Sequence, residues 1–118
     1  MKKDPLADIS MEFGIEIIQL YKSLKKDSKE FELSKQIVRS GTSIGASIRE
    51  AKYAESKKDF IHKLRIAVKE ANETQYWLSL LLKTKYIDAK LYESLNAKCH
   101  SLLNLLIASI NTSSKGLD

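Results

Sequence analysis

The chain has little of what staples or punctuates other folds. A single cysteine, Cys99, excludes an intrachain disulfide and suits a reducing compartment. One proline and four glycines are too few for the many turns of a β-sandwich or barrel. No apolar run approaches the roughly 20 residues that span a bilayer, so no membrane partner is expected. The opening MKKDPLADIS has lysines but neither the apolar run nor the small-residue cleavage site of a secretory signal. A cytoplasmic location is the expectation. What the chain does have is 43% hydrophobic and 30% charged residues in 118, enough apolar material for the core of one domain spanning 1–118. Lys, Glu, Ala, Leu and Ile are abundant, as a helical chain requires. The net charge of +5 permits an acidic partner such as nucleic acid without demanding one.

Hydrophobic spacing divides the chain into four helices. Asp4-Pro5 supplies an N-cap and a first-turn proline. Leu6, Ile9, Phe13, Ile17, Leu20 and Leu24 then recur at steps of three and four, so a helix is expected over about 5–25. The charged stretch from Lys25 to Glu32 loses that period and reads as a connection. A second helix, about 33–53, carries Leu33, Ile37, Gly41, Ile44, Ile48 and Ala51 on one face. Its two glycines each cost about 1 kcal/mol in a helix. Close approach of another backbone, within the bundle or from a second subunit, is the expected compensation. Ser56 and Asp59 form a capping box before a third helix over 57–83, with Phe60, Leu64, Ala67, Ala71, Leu78 and Leu81 facing inward. After a link from Thr84 to Ile87, Asp88 caps a fourth helix, 89–111, whose core stripe is Leu91, Leu95, Leu102 and Leu106. Residues 112–118 are expected to fray. Four helices with short connections imply an all-α, antiparallel up-and-down four-helix bundle.

The residues offer little chemistry. His62, Cys99 and His100 are the candidates for nucleophilic or metal work, and no HExxH, CxxC or paired cysteines accompany them. Neither histidine follows a glutamate by three residues, as di-iron bundles require. No glycine-rich loop follows a strand. No catalytic residue, metal or cofactor is expected, and the chain reads as a non-enzyme.

Charge is more informative. From Lys35 to Lys69, nine basic residues face three acidic ones, an excess of six. Arg49, Lys52, Lys57, Lys58, Lys63, Arg65 and Lys69 are the candidate surface for RNA or DNA, held mainly through phosphates. A solvated, charge-rich turn is the competing reading, and Tyr53 is the one exposed-looking ring nearby. If helices two and three turn near Glu55, Arg39 comes level with Glu70 and Glu73, and an ion pair among the three is expected to set register. The end of helix four, SLLNLLIASI, is apolar on more than one face. Self-association is therefore expected through Leu102, Leu103, Leu106, Ile107 and Ile110.

The stretches SIGASIREA and SKKDFIHKLRIAVKEANETQYWLSLL resemble the small bundle proteins encoded within intervening sequences of bacterial 23S ribosomal RNA genes. The accessory variability determinant of diversity-generating retroelements is related to them. The shared positions are Ser43, Ile44, Ala46, Ile48 and Glu50, then Phe60, Leu64, Ala67, Glu70, Glu73, Tyr76, Trp77 and Leu78. One departure is Ser47, where that family commonly has asparagine. The resemblance implies a four-helix bundle that assembles as a homo-oligomeric ring, typically a homopentamer. It also implies, for the retroelement member, association with nucleic acid and a reverse transcriptase. A protein-interaction scaffold without nucleic-acid binding is the alternative function.

Overall fold

The computed structural model describes residues 4–115. Four helices follow one another: α1 Pro5–Asp27, α2 Glu32–Lys52, α3 Lys57–Lys83 and α4 Ala89–Ser114. Each packs on two others, α1 on α2, α2 on α3, α3 on α4 and α4 back on α1; among the described residues nothing packs across the diagonals. The result is an all-α up-and-down four-helix bundle of about 49 × 27 × 20 Å.

Local chemistry sets the helix starts. Asp4 Oδ1 accepts from the Ala7 amide at 3.1 Å, and Asp88 Oδ1 from that of Leu91 at 2.8 Å. Ser56 Oγ accepts from the Asp59 amide at 3.0 Å. The Asp59 carboxylate reaches back to the Glu55 amide at 3.2 Å, one residue before the cap. These bonds satisfy amides that the first helical turn leaves without partners. Glu30 serves α2 differently, accepting from the amides of Glu32 and Ser34. Two links turn through lysines in the left-handed region, Lys29 (φ 53°) and Lys85 (φ 67°). The first connection is shorter than the charge pattern implies, because α1 runs to Asp27 and α2 starts at Glu32. Likewise α4 continues to Ser114, past the Asn111 at which fraying is expected; residues 116–118 of that tail lie outside the described residues.

The core takes Phe13, Ile17, Leu20 and Leu24 from α1, Ile37, Ile44, Ile48 and Ala51 from α2, Ile61, Leu64, Ala67, Ala71, Leu78 and Leu81 from α3, and Leu95, Cys99, Leu102, Leu103, Leu106 and Ile110 from α4. The inward assignments are not all kept: Leu6, Ile9 and Leu33 are only partly covered. Leu91 is 41% exposed, and Cys99 lies fully buried on the α4 stripe. Phe60 is only partly covered, because Ile61 takes the inward position at the start of α3.

The glycines of α2 have different surroundings. A Cβ on Gly41 would stand 2.8 Å from Ile17 Cγ2, so α1 lies against α2 too closely for alanine. At Gly45 the nearest atom would be Ser10 Oγ at 3.4 Å, an ordinary contact. The close approach at Gly41 is thus made inside the bundle. In α1, Gly14 would meet nothing within 4 Å. The two positions should therefore respond oppositely to alanine. Gly41→Ala is expected to lower stability by about 1–3 kcal/mol through overpacking, and Gly14→Ala to raise it by up to about 1 kcal/mol through helix propensity. Urea midpoints of the two variants check this; shifts of the same sign would contradict the packing at Ile17.

Candidate nucleic-acid interface

The face of α3 that turns away from the core is built by steps of four and three. Lys58, His62, Arg65, Lys69, Asn72 and Tyr76 follow that spacing, and Lys83 lies two turns beyond Tyr76. All seven are exposed. At 1.5 Å per residue, the stripe from Lys58 to Lys83 is about 37 Å long. It contains no carboxylate. Nor does Lys58, Arg65, Lys69 or Lys83 form an ion pair among the described residues.

The carboxylates of α3 point elsewhere. Arg39 of α2 places Nη1 3.3 Å from Glu70 Oε2 and bonds the Glu73 carboxylate through Nη2. Trp77 Nε1 donates to the same Glu73 oxygen at 2.9 Å. The Trp77 indole first, and the Arg39 guanidinium with it, hold the Glu73 carboxyl below its usual range. Glu73 in turn raises the already high pKa of Arg39. One layer deeper, Ser40 Oγ and Thr74 Oγ1 share a hydrogen bond at 2.9 Å, both residues being fully buried. Arg39, Glu70 and Glu73 are therefore together at the α2–α3 seam; the third carboxylate of α3, Asp59, is held at the helix start by the Glu55 amide.

The seven basic residues singled out from the sequence do not form one patch. Lys58, Arg65 and Lys69 share the α3 stripe, and Lys57 is exposed at the first helical position beside it. Lys63 is half-buried on the α2 side with its ammonium 3.2 Å from Glu50 Oε1. Arg49 and Lys52 line a separate groove between α1 and α2. At about 100° of turn per residue, neighbours in sequence become residents of different faces.

That groove, of about 420 Å³, has an apolar wall on α1. Met11 (64%), Ile15 (50%) and Ile18 (40%) are exposed there, and Tyr53 (71%) stands at its α2 edge. So α1 is apolar on two faces, whereas the expected interface on α4 is corrected. Leu102, Leu103, Leu106 and Ile110 are buried within the chain's own core, where a second subunit cannot reach them; Ile107 alone of that set is exposed, at 46%. The excess of apolar residues on α4 is absorbed by its two neighbours, α3 and α1.

A family model described as 23S rRNA-intervening sequence protein matches residues 5–108. The chain belongs to this family. It is similar to a crystal structure from Bacteroides thetaiotaomicron, described as a protein with unknown function from the S23 ribosomal protein family. The two are 56% identical with a TM-score of 0.88, and the match covers 89% of this chain and 97% of that one. Curated proteins show no match.

In this member of the intervening-sequence family, Tyr76 is a residue of the α3 stripe that the sequence reading did not single out. It is 57% exposed, so Tyr53 is not the sole exposed ring near the basic residues. The signal was present as the four-three spacing from Lys58, but the adjacent Trp77, which does turn inward, obscured it. His62 and His100 are exposed on different helices, and no group of three or more His, Cys, Asp or Glu side chains among the described residues could hold a metal. Cys99 donates to the Ala71 carbonyl at 3.4 Å, and burial pushes its thiol up to about 12.

That shift has a sign for stability. Above pH ~8.5 an unfolded cysteine ionises while the buried thiol keeps its proton, so the native state binds more protons and loses stability as pH rises toward its folded value. Between pH 7 and pH 10 this contribution amounts to about 2 kcal/mol. Urea midpoints at the two pH values should fall further for the wild type than for Cys99→Ala. Equal falls would mean that the thiol reaches solvent.

Proposed function

We propose that the protein is a non-enzymatic, homo-oligomeric four-helix bundle that binds RNA or DNA through the basic surface of α3, mainly by phosphate contacts. The observation that carries this reading is the carboxylate-free stripe from Lys58 to Lys83. A row of unpaired cations with no local anion attracts a polyanion and releases its counterions on binding. Arg65 and Lys69 are one turn apart, about 6 Å along the axis, and Lys58 is two turns from Arg65. Such contacts hold a backbone without reading base sequence. The alternative, a protein-interaction module bound to a reverse transcriptase or another protein, draws on the apolar groove and leaves the basic stripe without a role.

Charge reversal tests the stripe. Lys58→Glu, Arg65→Glu and Lys69→Glu combined should weaken binding of a labelled mixed-sequence nucleic acid. On duplex DNA the log–log salt slope should also fall by about 0.9 for every phosphate the variant no longer neutralises. Lys63→Gln is the control, since its ammonium is engaged by Glu50. Helical content should persist in both, because none of these side chains is in the core. Undiminished affinity in the triple variant would remove nucleic acid from the reading.

For assembly, a second copy is the proposed occupant of the α1–α2 groove. Arg49 and Lys52 line its α2 side, and Asp8 and Glu12 are exposed on α1, within a turn of the groove residues Met11 and Ile15, so successive copies can meet with opposite charges. Head-to-tail contacts of that kind form a ring where the rotation between copies closes, the pentamer of the resemblance being one such ring. Ile15→Lys places a charge on this face without entering the core and should reduce the wild-type oligomer to a folded monomer in sedimentation. An unchanged mass would exclude the groove as the interface.

A further inference from the structure

We propose that the Tyr76 ring is a base-stacking platform, which makes single-stranded nucleic acid the ligand of the α3 stripe. This rests on the phosphate-binding reading above and adds a ligand class to it. Tyr76 is an exposed ring in the middle of a basic row, two helical turns from Lys69 on one side and two from Lys83 on the other, about 10 Å each way. A strand laid along α3 therefore meets cations before and after the ring.

The ring is also held in place. It packs edge-to-face on Trp77, centroids 5.0 Å apart and planes at 67°. Trp77 is anchored by its bond to Glu73, and Glu73 by Arg39. An aromatic face restrained on one side by such a contact loses less conformational freedom when a base covers it than a free side chain would, which favours binding. The neighbouring stripe residue Asn72 is exposed and uncharged, and the Glu73 carboxylate beside Trp77 is engaged by the Arg39 guanidinium, which offsets its charge.

Duplexes cannot use this arrangement. Their base faces are occupied by neighbouring base pairs, and only edges and phosphates are presented. A single strand exposes those faces, and stacking on an aromatic side chain tolerates any base. The combination of cations along a ridge with an interposed ring is the pattern of sequence-tolerant single-strand binding.

Fluorescence anisotropy with a mixed-sequence single-stranded RNA, and with the same sequence as a duplex, tests the proposal at one fixed salt concentration and across a salt series. Tyr76→Ala and Tyr76→Leu should each weaken single-strand binding about 5- to 150-fold while leaving the salt slope and duplex binding unchanged. Tyr76→Phe should keep wild-type affinity, because the π-face remains. Trp77 emission should change when the wild type is saturated with single strand. Wild-type single-strand affinity in Tyr76→Leu, or an equal loss on the duplex, would overturn the platform. If the charge-reversal triple variant nevertheless loses binding, the phosphate reading survives that failure. No binding of either probe by the wild type would overturn both.

Discussion

The seam between α2 and α3 is the constraint on which the other features depend. Two hydroxyls, Ser40 and Thr74, meet in a fully buried layer, and Thr74 also donates to the Glu70 carbonyl at 2.7 Å. A buried hydroxyl without a partner costs free energy comparable to a lost hydrogen bond, so sliding α3 by one turn along α2 would take from Ser40 its Thr74 partner, while Thr74 would keep its bond within α3. Directly outside this layer Arg39 takes Glu70 and Glu73. As an isolated surface pair it would contribute little, about 0–1 kcal/mol. Joined to Trp77 and placed beside the buried hydroxyls, it selects one register over its neighbours.

That register also decides the outer electrostatics. Because both late carboxylates of α3 are turned to α2, the opposite side of the helix keeps only cations, amide, imidazole and phenol. The same hydrogen bond from Trp77 that fixes Glu73 also orients the ring against which Tyr76 leans. Structural and surface roles are therefore coupled through about two turns of one helix, from Glu70 to Trp77.

The apolar groove lies on the other side of the molecule. Since α1 and α3 do not touch among the described residues, they occupy opposite corners of the bundle, and the α3 stripe faces away from the α1 wall. In the proposed assembly, nucleic acid and a second copy would not compete for space. Several stripes joined in one particle would then act together, raising avidity without any new interaction within a stripe.

Much of the architecture was legible because it rests on local rules. The caps at Asp4, Ser56 and Asp88, the core period of α1 and the level of Arg39 against Glu70 and Glu73 follow from residue types, 3.6-residue periodicity and equal distances from one turn. Two readings failed where local rules run out. A leucine-rich α4 resembles an interface until two neighbours are seen to share it, and Tyr76 cannot be told from its partly buried neighbour Trp77 until the rotation of α3 is fixed. Four helices, their order and the sign of the surface charge depend on spacing along the chain, and the residues alone were enough for them. Which apolar face stays uncovered and which cations stay unpaired could be settled only by the folded bundle, because both are set by how helices distant in sequence rotate against each other.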